Sequence, residues 1–214
     1  MSELWEIPTF STSRLKALTD GVIAIVITLL VLELSVPIVK ELPHSEGLWP
    51  AVRELWREYL AYILSFFIVG LLWLYHHNVF RHIRRADGRL LLLNMLFLLA
   101  VSIMPFSSAL VAKNWDERLS AIIYGGSLFL AAAAMAATFA YASYQRRLVD
   151  EDMTPQFIRR ENLTAVGVMV VLATAALCGI INAIITYIIL GAVVVFYWLI
   201  IAFEREGISA RRRA

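Results

Sequence analysis

Long runs of apolar side chains constrain this chain more than any other feature of its sequence. Each run has about 20 residues, the length at which a helix crosses the roughly 30 Å hydrocarbon core of a bilayer. The chain is 60% hydrophobic and 17% charged, whereas soluble domains usually carry about 25% charged residues. Since each run is long enough to satisfy its own backbone hydrogen bonds as a helix in lipid, the sequence predicts an all-α integral membrane protein.

Six segments qualify as transmembrane helices within one predicted domain, residues 1–214. They are approximately residues 15–34, 59–75, 90–111, 119–144, 163–181 and 183–203. Pro105 predicts a kink in the outer half of the third span. Gly179 and Asn182 are the only turn-like residues between the last two spans, which predicts a tight helical hairpin. The fragment IIYGGS at 122–127 favours close helix packing by small residues over an ion filter.

The basic residues predict the orientation of the spans. Fourteen of the 19 Lys and Arg residues fall in the terminal segments and in the second and fourth connections. Under the positive-inside rule, this asymmetry places both termini in the cytoplasm. The net charge of +2 therefore reports on topology and does not indicate a nucleic-acid partner. Glu3 and Glu6 precede the first basic residue, so no cleaved signal peptide is expected.

The first span, RLKALTDGVIAIVITLLVLEL, carries an acid near each end. Asp20 and Glu33 lie about 20 Å apart on a helix, and Ile23, Ile27 and Leu30 form an apolar stripe between them. Acids in a membrane helix usually face a partner or a water-filled path. Asp20 could form an ion pair with Arg14 or Lys16 or could serve such a path, while Glu33 could be interfacial or functional.

The end of the second span, WLYHHNVFRHIRR, contains three of the four histidines. His76 and His77 point about 100° apart on a helix and cannot bind one ion together, so no metal site is predicted. Hydrogen bonds to polar groups at the same depth, with Asp20 as a candidate, explain these imidazoles better. Cys178 is the single cysteine, which excludes an intrachain disulfide.

Two stretches resemble the transmembrane protein 175 family of potassium channels. Arg14, the tetrapeptide LTDG at 18–21 and the following VIAIVITLLVLEL resemble the family's first helix. The stretch WLYHHNVFRHIRRADGRLLLLNMLFLLAVSIMPFSSAL at 73–110 resembles its second and third helices. Leu18 and Thr19 replace the phenylalanine and serine of the family pattern. Val26 stands where some members have threonine, which bears on potassium selectivity.

The resemblance implies a six-helix subunit of the bacterial single-repeat type that assembles as a homotetramer in the bacterial inner (plasma) membrane. The first helix would line a central pore without a classical selectivity-filter loop, K⁺ would be the permeant ion, and no cofactor would be needed. Matching positions place the constriction at Ile23, Ile27 and Leu30 and the pore mouth at Glu33 and Leu34. A polar set, called the bracing network below, would hold the pore helices; it consists of Arg14, Thr19, Asp20, Trp73, His76, His77 and Asn94.

Three other functions compete with this prediction of a potassium-preferring, passive monovalent cation channel. A proton-coupled secondary transporter could use Asp20 and His77 as titrating groups, but no three-plus-three repeat with broken helices is evident. An intramembrane enzyme using His76, His77 and His82 has too few candidate ligands, so the chain is not expected to be an enzyme. An assembly or scaffold subunit is the remaining alternative.

Overall fold

The computed structural model describes residues 11–37, 48–150 and 152–211, with side chains up to residue 203. The expectation about a signal peptide concerns residues 1–10, outside the described part. The α-helices in the described part are α1 Thr12–Leu30, α2 Leu48–Glu54, α3 Trp56–Arg81, α4 Gly88–Ser102, α5 Met104–Lys113, α6 Arg118–Ser143, α7 Pro155–Ile181 and α8 Ala183–Arg211. Within these ranges, β-structure is limited to an isolated bridge between Ile83 and Val149.

Six helical segments of the described chain are long and apolar enough to cross a membrane, which confirms the predicted all-α class and span count. They are Thr12–Glu33, Trp56–Arg81, Gly88–Lys113, Arg118–Arg146, Pro155–Ile181 and Ala183–Phe203. The fifth begins before the predicted residue 163 because a capping signal extends it. The Thr154 side chain accepts a hydrogen bond from the Phe157 N–H, and Pro155 occupies the first turn, where its missing N–H costs nothing.

The third span is broken where the sequence predicted a kink. Helix α4 ends at Ser102, Ile103 interrupts it, and α5 starts at Met104 with Pro105 in its first turn. Hydroxyl groups contact backbone carbonyls on both sides of the break: Ser102 Oγ donates to Leu99 O at 2.8 Å and Ser107 Oγ to Met104 O at 3.1 Å. The proline therefore redirects the helix while these hydroxyls add hydrogen bonds around the interruption.

Helix α6 is the centre of the bundle. It packs against α4 and α5 on one side and against α7 and α8 on the other, whereas α1 packs against α3, α4 and α5. The α6–α7 contact is close because its residues are small: a Cβ added to Gly125 would lie 2.9 Å from the Ala176 Cα. This geometry confirms small-residue packing as the role of Gly125 in the IIYGGS fragment.

The last two spans form the predicted hairpin. Only Asn182 separates α7 from α8, and its side-chain oxygen accepts a hydrogen bond from the Ile184 N–H at 2.8 Å, which caps α8. The Thr186 hydroxyl donates to the Ala175 carbonyl across the hairpin at 2.7 Å. An added Cβ at Gly179 would lie 3.2 Å from Thr186 Oγ1, so a side chain at this position would crowd the hydroxyl that joins the two helices.

Candidate ion pathway along the first helix

Helix α1 has a buried face that packs into its own subunit. Its buried residues recur at intervals of four, four, three and four positions, the spacing of one helical face; they are Leu15, Thr19, Ile23, Val26 and Leu30. The partners of this face lie on α3, α4 and α5. The first helix is therefore attached to the bundle through one side only.

A row of bulky apolar residues runs along the exposed part of α1. This row, called the exposed stripe below, consists of Leu18, Ile25, Leu29 and Leu32. Ile25 is 59% exposed, Leu29 41% and Leu32 73%. Their spacing of four and three positions keeps these three side chains close to one line along the helix.

The predicted constriction does not coincide with the exposed stripe. Ile23 is 2% exposed and Leu30 1%, while Ile27 is half-buried against the core. A side chain enclosed by its own subunit cannot face a passage formed between subunits. The burial of Ile23 and Leu30 suits a packing role within the subunit, and the constriction at Ile23, Ile27 and Leu30 stays a prediction.

Part of the bracing network forms a buried chain of hydrogen bonds between three helices. Asn94 Nδ2 on α4 donates to Thr19 Oγ1 on α1 at 3.2 Å. The Asn94 Oδ1 and His76 Nε2 on α3 are 3.1 Å apart, and because this oxygen can only accept, the ring carries its proton on Nε2. His76 is also stacked between Phe80 and Phe97, with ring centroids 4.2 and 5.5 Å away. The three polar side chains are fully buried and satisfy one another.

A second part of the bracing network lies on the surface of the subunit. Trp73 Nε1 donates to Asp20 Oδ1 at 2.8 Å, and the His77 ring lies 5.7 Å from the Trp73 ring. Asp20 itself is exposed. Sequence reasoning joined a histidine directly to Asp20; the structure instead places the buried His76 on Asn94 and leaves His77 beside Trp73.

Arg14 is separate from these contacts. In the described part of the chain, ion pairs link Arg84 to Asp150 and Arg147 to Asp87, and neither Arg14 nor Lys16 forms one with Asp20. The ion-pair explanation of Asp20 is therefore replaced by the indole hydrogen bond. Arg14 is exposed in the first turn of α1, so its assignment to the bracing network stays a prediction.

The outer end of α1 contains a contact that sequence reasoning missed. After a single 3-10 turn, Val31–Glu33, the backbone becomes extended at Leu34. The Ser35 N–H then donates to Glu58 Oε2 on α3 at 2.6 Å. Glu33 and Leu34, the predicted pore mouth, are half-buried at this point. Glu58 falls in an interfacial segment, and no spacing rule connects it to α1.

The histidines and carboxylates of the described residues do not form a group of three that could hold a metal ion. His82 instead packs edge-on against Phe157, with ring centroids 5.3 Å apart. Across the described ranges, the site is thus a set of helix-bracing hydrogen bonds beside an exposed apolar stripe. These features define an integral membrane protein in which one helix has a free face available for assembly or for a pathway.

Comparison with known proteins relates this architecture to a family. A family model described as "Endosomal/lysosomal potassium channel TMEM175" matches residues 14–105. The crystal structure of a lysosomal potassium-selective channel TMEM175 homolog from Chamaesiphon minutus aligns with a TM-score of 0.78 and 27% identity, covering 88% of this chain and 96% of that one. The chain is thus similar to the TMEM175 family in sequence over residues 14–105 and in fold over most of its length. The family description is that of a channel, in agreement with the prediction that the chain is not an enzyme.

Two curated relatives show how far the similarity extends. A protein named potassium channel from Streptomyces collinus is 37% identical over 128 residues, 60% of this chain and 61% of the relative. The human protein named endosomal/lysosomal proton channel TMEM175 is 39% identical over 133 residues, 56% of this chain and 26% of the relative. The chain thus spans less than two thirds of the length of these relatives, and their names differ in the ion.

Proposed function

We propose that this chain is a subunit of a passive, potassium-preferring monovalent cation channel. The observation that carries the proposal is the wide part of α1 that its own subunit leaves exposed, with the exposed stripe along one edge and Asp20 along the other. An acid in a membrane helix costs about 2.5–3.5 kcal/mol on insertion scales. A face that carries one is therefore better covered by water or by another protein surface than by lipid.

The stripe has the chemistry of a hydrophobic constriction. In an assembly with the free face of α1 toward a central axis, Ile25, Leu29 and Leu32 of each subunit surround the passage. Rings of bulky apolar side chains gate ion flow by excluding water when the passage is narrow. Asp20 precedes these three residues along the chain and Glu33 follows them, and negative charge near a passage raises the local concentration of cations.

The assembly that suits this function is a homotetramer spanning the bacterial plasma membrane, with all six spans acting as one channel domain and both termini cytoplasmic. K⁺ is the permeant ion, and no cofactor is required. The bacterial relatives named potassium channels and the potassium-selective homolog of known structure support this choice of ion. The bracing network would hold α1 in register against α3 and α4 while the opposite face meets the passage.

Potassium flux through purified protein in liposomes tests the proposal, with no proton gradient imposed. We expect passive K⁺ flux from the wild type and an increase of about tenfold for Leu29→Asn, because a polar ring rehydrates a hydrophobic constriction. Leu177→Asn is the matched control, since Leu177 is exposed on the distant helix α7 and its substitution should leave flux unchanged.

The same assay decides between the two assignments of the constriction. Ile23→Ala should lower thermal stability and leave ion selectivity unchanged, because Ile23 is enclosed in the core. A selectivity change in Ile23→Ala without a loss of stability would restore the constriction predicted at Ile23, Ile27 and Leu30. Flux that requires a proton gradient and ignores both positions would instead favour the proton-coupled transporter, and a proton current without K⁺ flux would change the permeant ion.

A further inference from the structure

The outer end of α1 is connected to the rest of the subunit by a single hydrogen bond within the described residues 31–37. The Ser35 N–H donates to Glu58 Oε2 at 2.6 Å. The chain leaves α1 through the 3-10 turn Val31–Glu33, whose own hydrogen bonds join backbone groups. Helix ends without further restraints fray readily. The turn Val31–Glu33 also packs against α3 and α5, and the Glu58 carboxylate adds the hydrogen bond that positions the chain beyond it.

Glu58 is well placed to act as a fixed support. It lies in the first turn of α3, where the positive end of the helix dipole favours a carboxylate. Its neighbour Arg57 lies over the Trp115 ring at 4.5 Å and over the Trp56 ring at 5.4 Å, and the two indoles meet edge-on. These contacts attach the start of α3 to the connection between α5 and α6.

We propose that Glu58 is a positioning residue for the outer mouth of the channel. Its carboxylate holds Ser35 and thereby sets where Leu32 and Glu33 stand at the end of the pore helix. The inference rests on the proposed function, since it assigns a role in permeation to a residue outside α1. Glu58 acts through its hydrogen bond to Ser35 and not through its charge.

Two pairs of variants isolate this hydrogen bond. Glu58→Ala removes the acceptor, whereas Glu58→Gln keeps an acceptor oxygen and removes the charge. Ser35→Pro removes the donor, whereas Ser35→Ala keeps it. Leu34 has φ −73° and ψ 127°, a conformation that residues preceding proline favour, so the backbone at Leu34 is compatible with Ser35→Pro. Each disruptive variant thus has a control at the same position.

The first readout, hydrogen–deuterium exchange of the 31–37 segment in the full-length protein, does not depend on transport. We expect exchange at the Ser35 amide to be about tenfold faster in Glu58→Ala than in the wild type. Exchange in Glu58→Gln and Ser35→Ala should match the wild type. Unchanged exchange in Glu58→Ala would overturn the inference.

The second readout is K⁺ flux in liposomes at matched thermal stability. Glu58→Ala and Ser35→Pro should each lower flux by about threefold or more, and their combination should be no worse than either alone, because both remove the same interaction. Glu58→Gln should retain wild-type flux. A Glu58→Gln protein as impaired as Glu58→Ala would show that charge acts instead and would overturn the positioning role. A wild type without K⁺ flux would contradict the proposed function, while the exchange result would still decide whether Glu58 holds Ser35.

Discussion

The molecule can be divided into two halves, helices α1–α5 and helices α6–α8. The helices within each half are joined by different kinds of interaction. Between α1, α3 and α4, polar side chains meet inside the bundle, as in the chain of Thr19, Asn94 and His76. Between α6 and α7, small residues let the helix backbones approach, and Gly125 contacts Ala176 directly. The family model matches residues 14–105, a range that includes the helices joined by the polar network.

The difference follows from what each half has to specify. Van der Waals packing of small residues associates membrane helices but tolerates small shifts along their axes. A hydrogen-bonded network requires each donor to meet its acceptor, so it fixes the register of the helices it joins. We infer that α1, which carries the candidate pathway, needs a defined register, whereas the α7–α8 hairpin needs only to stay packed against α6.

The largest expected effect concerns the polar network. Asn94→Leu removes the partner of both Thr19 and His76 and leaves two buried polar groups unsatisfied, each costing about 1–3 kcal/mol. We expect a loss of about 3 kcal/mol in the free energy of unfolding, measured in mild detergent. Thr186→Val in the α7–α8 hairpin removes a single hydrogen bond to a carbonyl and should cost about 1 kcal/mol or less. Equal losses in the two variants would erase the proposed distinction between the halves.

A smaller effect is expected from the packing of α6 against α7. Gly125→Ala places a methyl group 2.9 Å from the Ala176 Cα, and overpacking of this kind costs about 1–3 kcal/mol. The adjacent Gly126→Ala is the control, because its added Cβ meets nothing within 4 Å and alanine favours helix formation. Gly125→Ala should therefore lower the unfolding temperature while Gly126→Ala leaves it unchanged or raises it. The explanation fails if both variants behave alike.

The helices are predictable from the sequence, whereas the packing partners of each helix face are not. The six spans and the interruption at Pro105 follow from hydropathy and from the missing proline N–H, which are local properties. Thr19 on the buried face of α1 meets Asn94, a residue 75 positions away. Because most residues of α1 are apolar, contacts with such distant residues help to determine which side of the helix faces the core.

The contact between Ser35 and Glu58 could not be predicted from the sequence, because it also joins residues that are distant along the chain. A backbone N–H carries no sequence signature, and any acid near the membrane surface could serve as its acceptor. Trp73 and Asn94 were assigned to the bracing network by resemblance, and the structure does bring them to Asp20 and Thr19. The partition of that network into a buried and an exposed part depends on side-chain packing, which the motif does not encode.

The smallest effect concerns the junction of the two halves. Asp87 caps α4 by accepting from the Leu90 N–H, and Tyr141 at the end of α6 donates to its other oxygen at 2.6 Å. Arg147 donates to the Tyr141 hydroxyl at 2.7 Å and lies 3.5 Å from the Asp87 carboxylate. Burial raises the pKa of Asp87, but the hydrogen bonds from Tyr141 and Leu90 and the charge of Arg147 outweigh it, so the pKa falls below the ordinary 3.8.

This shift gives the junction a pH dependence with a definite sign. A carboxylate whose pKa is lower in the folded state stabilises the fold above its unfolded pKa, and this contribution disappears as the pH falls through the folded value. Asp87→Asn keeps a capping oxygen and loses the charge, so it should be less stable than the wild type at pH 7, by about 1 kcal/mol or less for a partly exposed group. The difference in unfolding temperature between wild type and Asp87→Asn should persist down to about pH 4 and shrink below pH 3.8.

Tyr141→Phe should reduce the stabilising effect of the Asp87 charge at neutral pH, because it removes the hydroxyl that joins the carboxylate to α6. A difference between wild type and Asp87→Asn that stays constant across this range would mean that the halves are joined by packing alone.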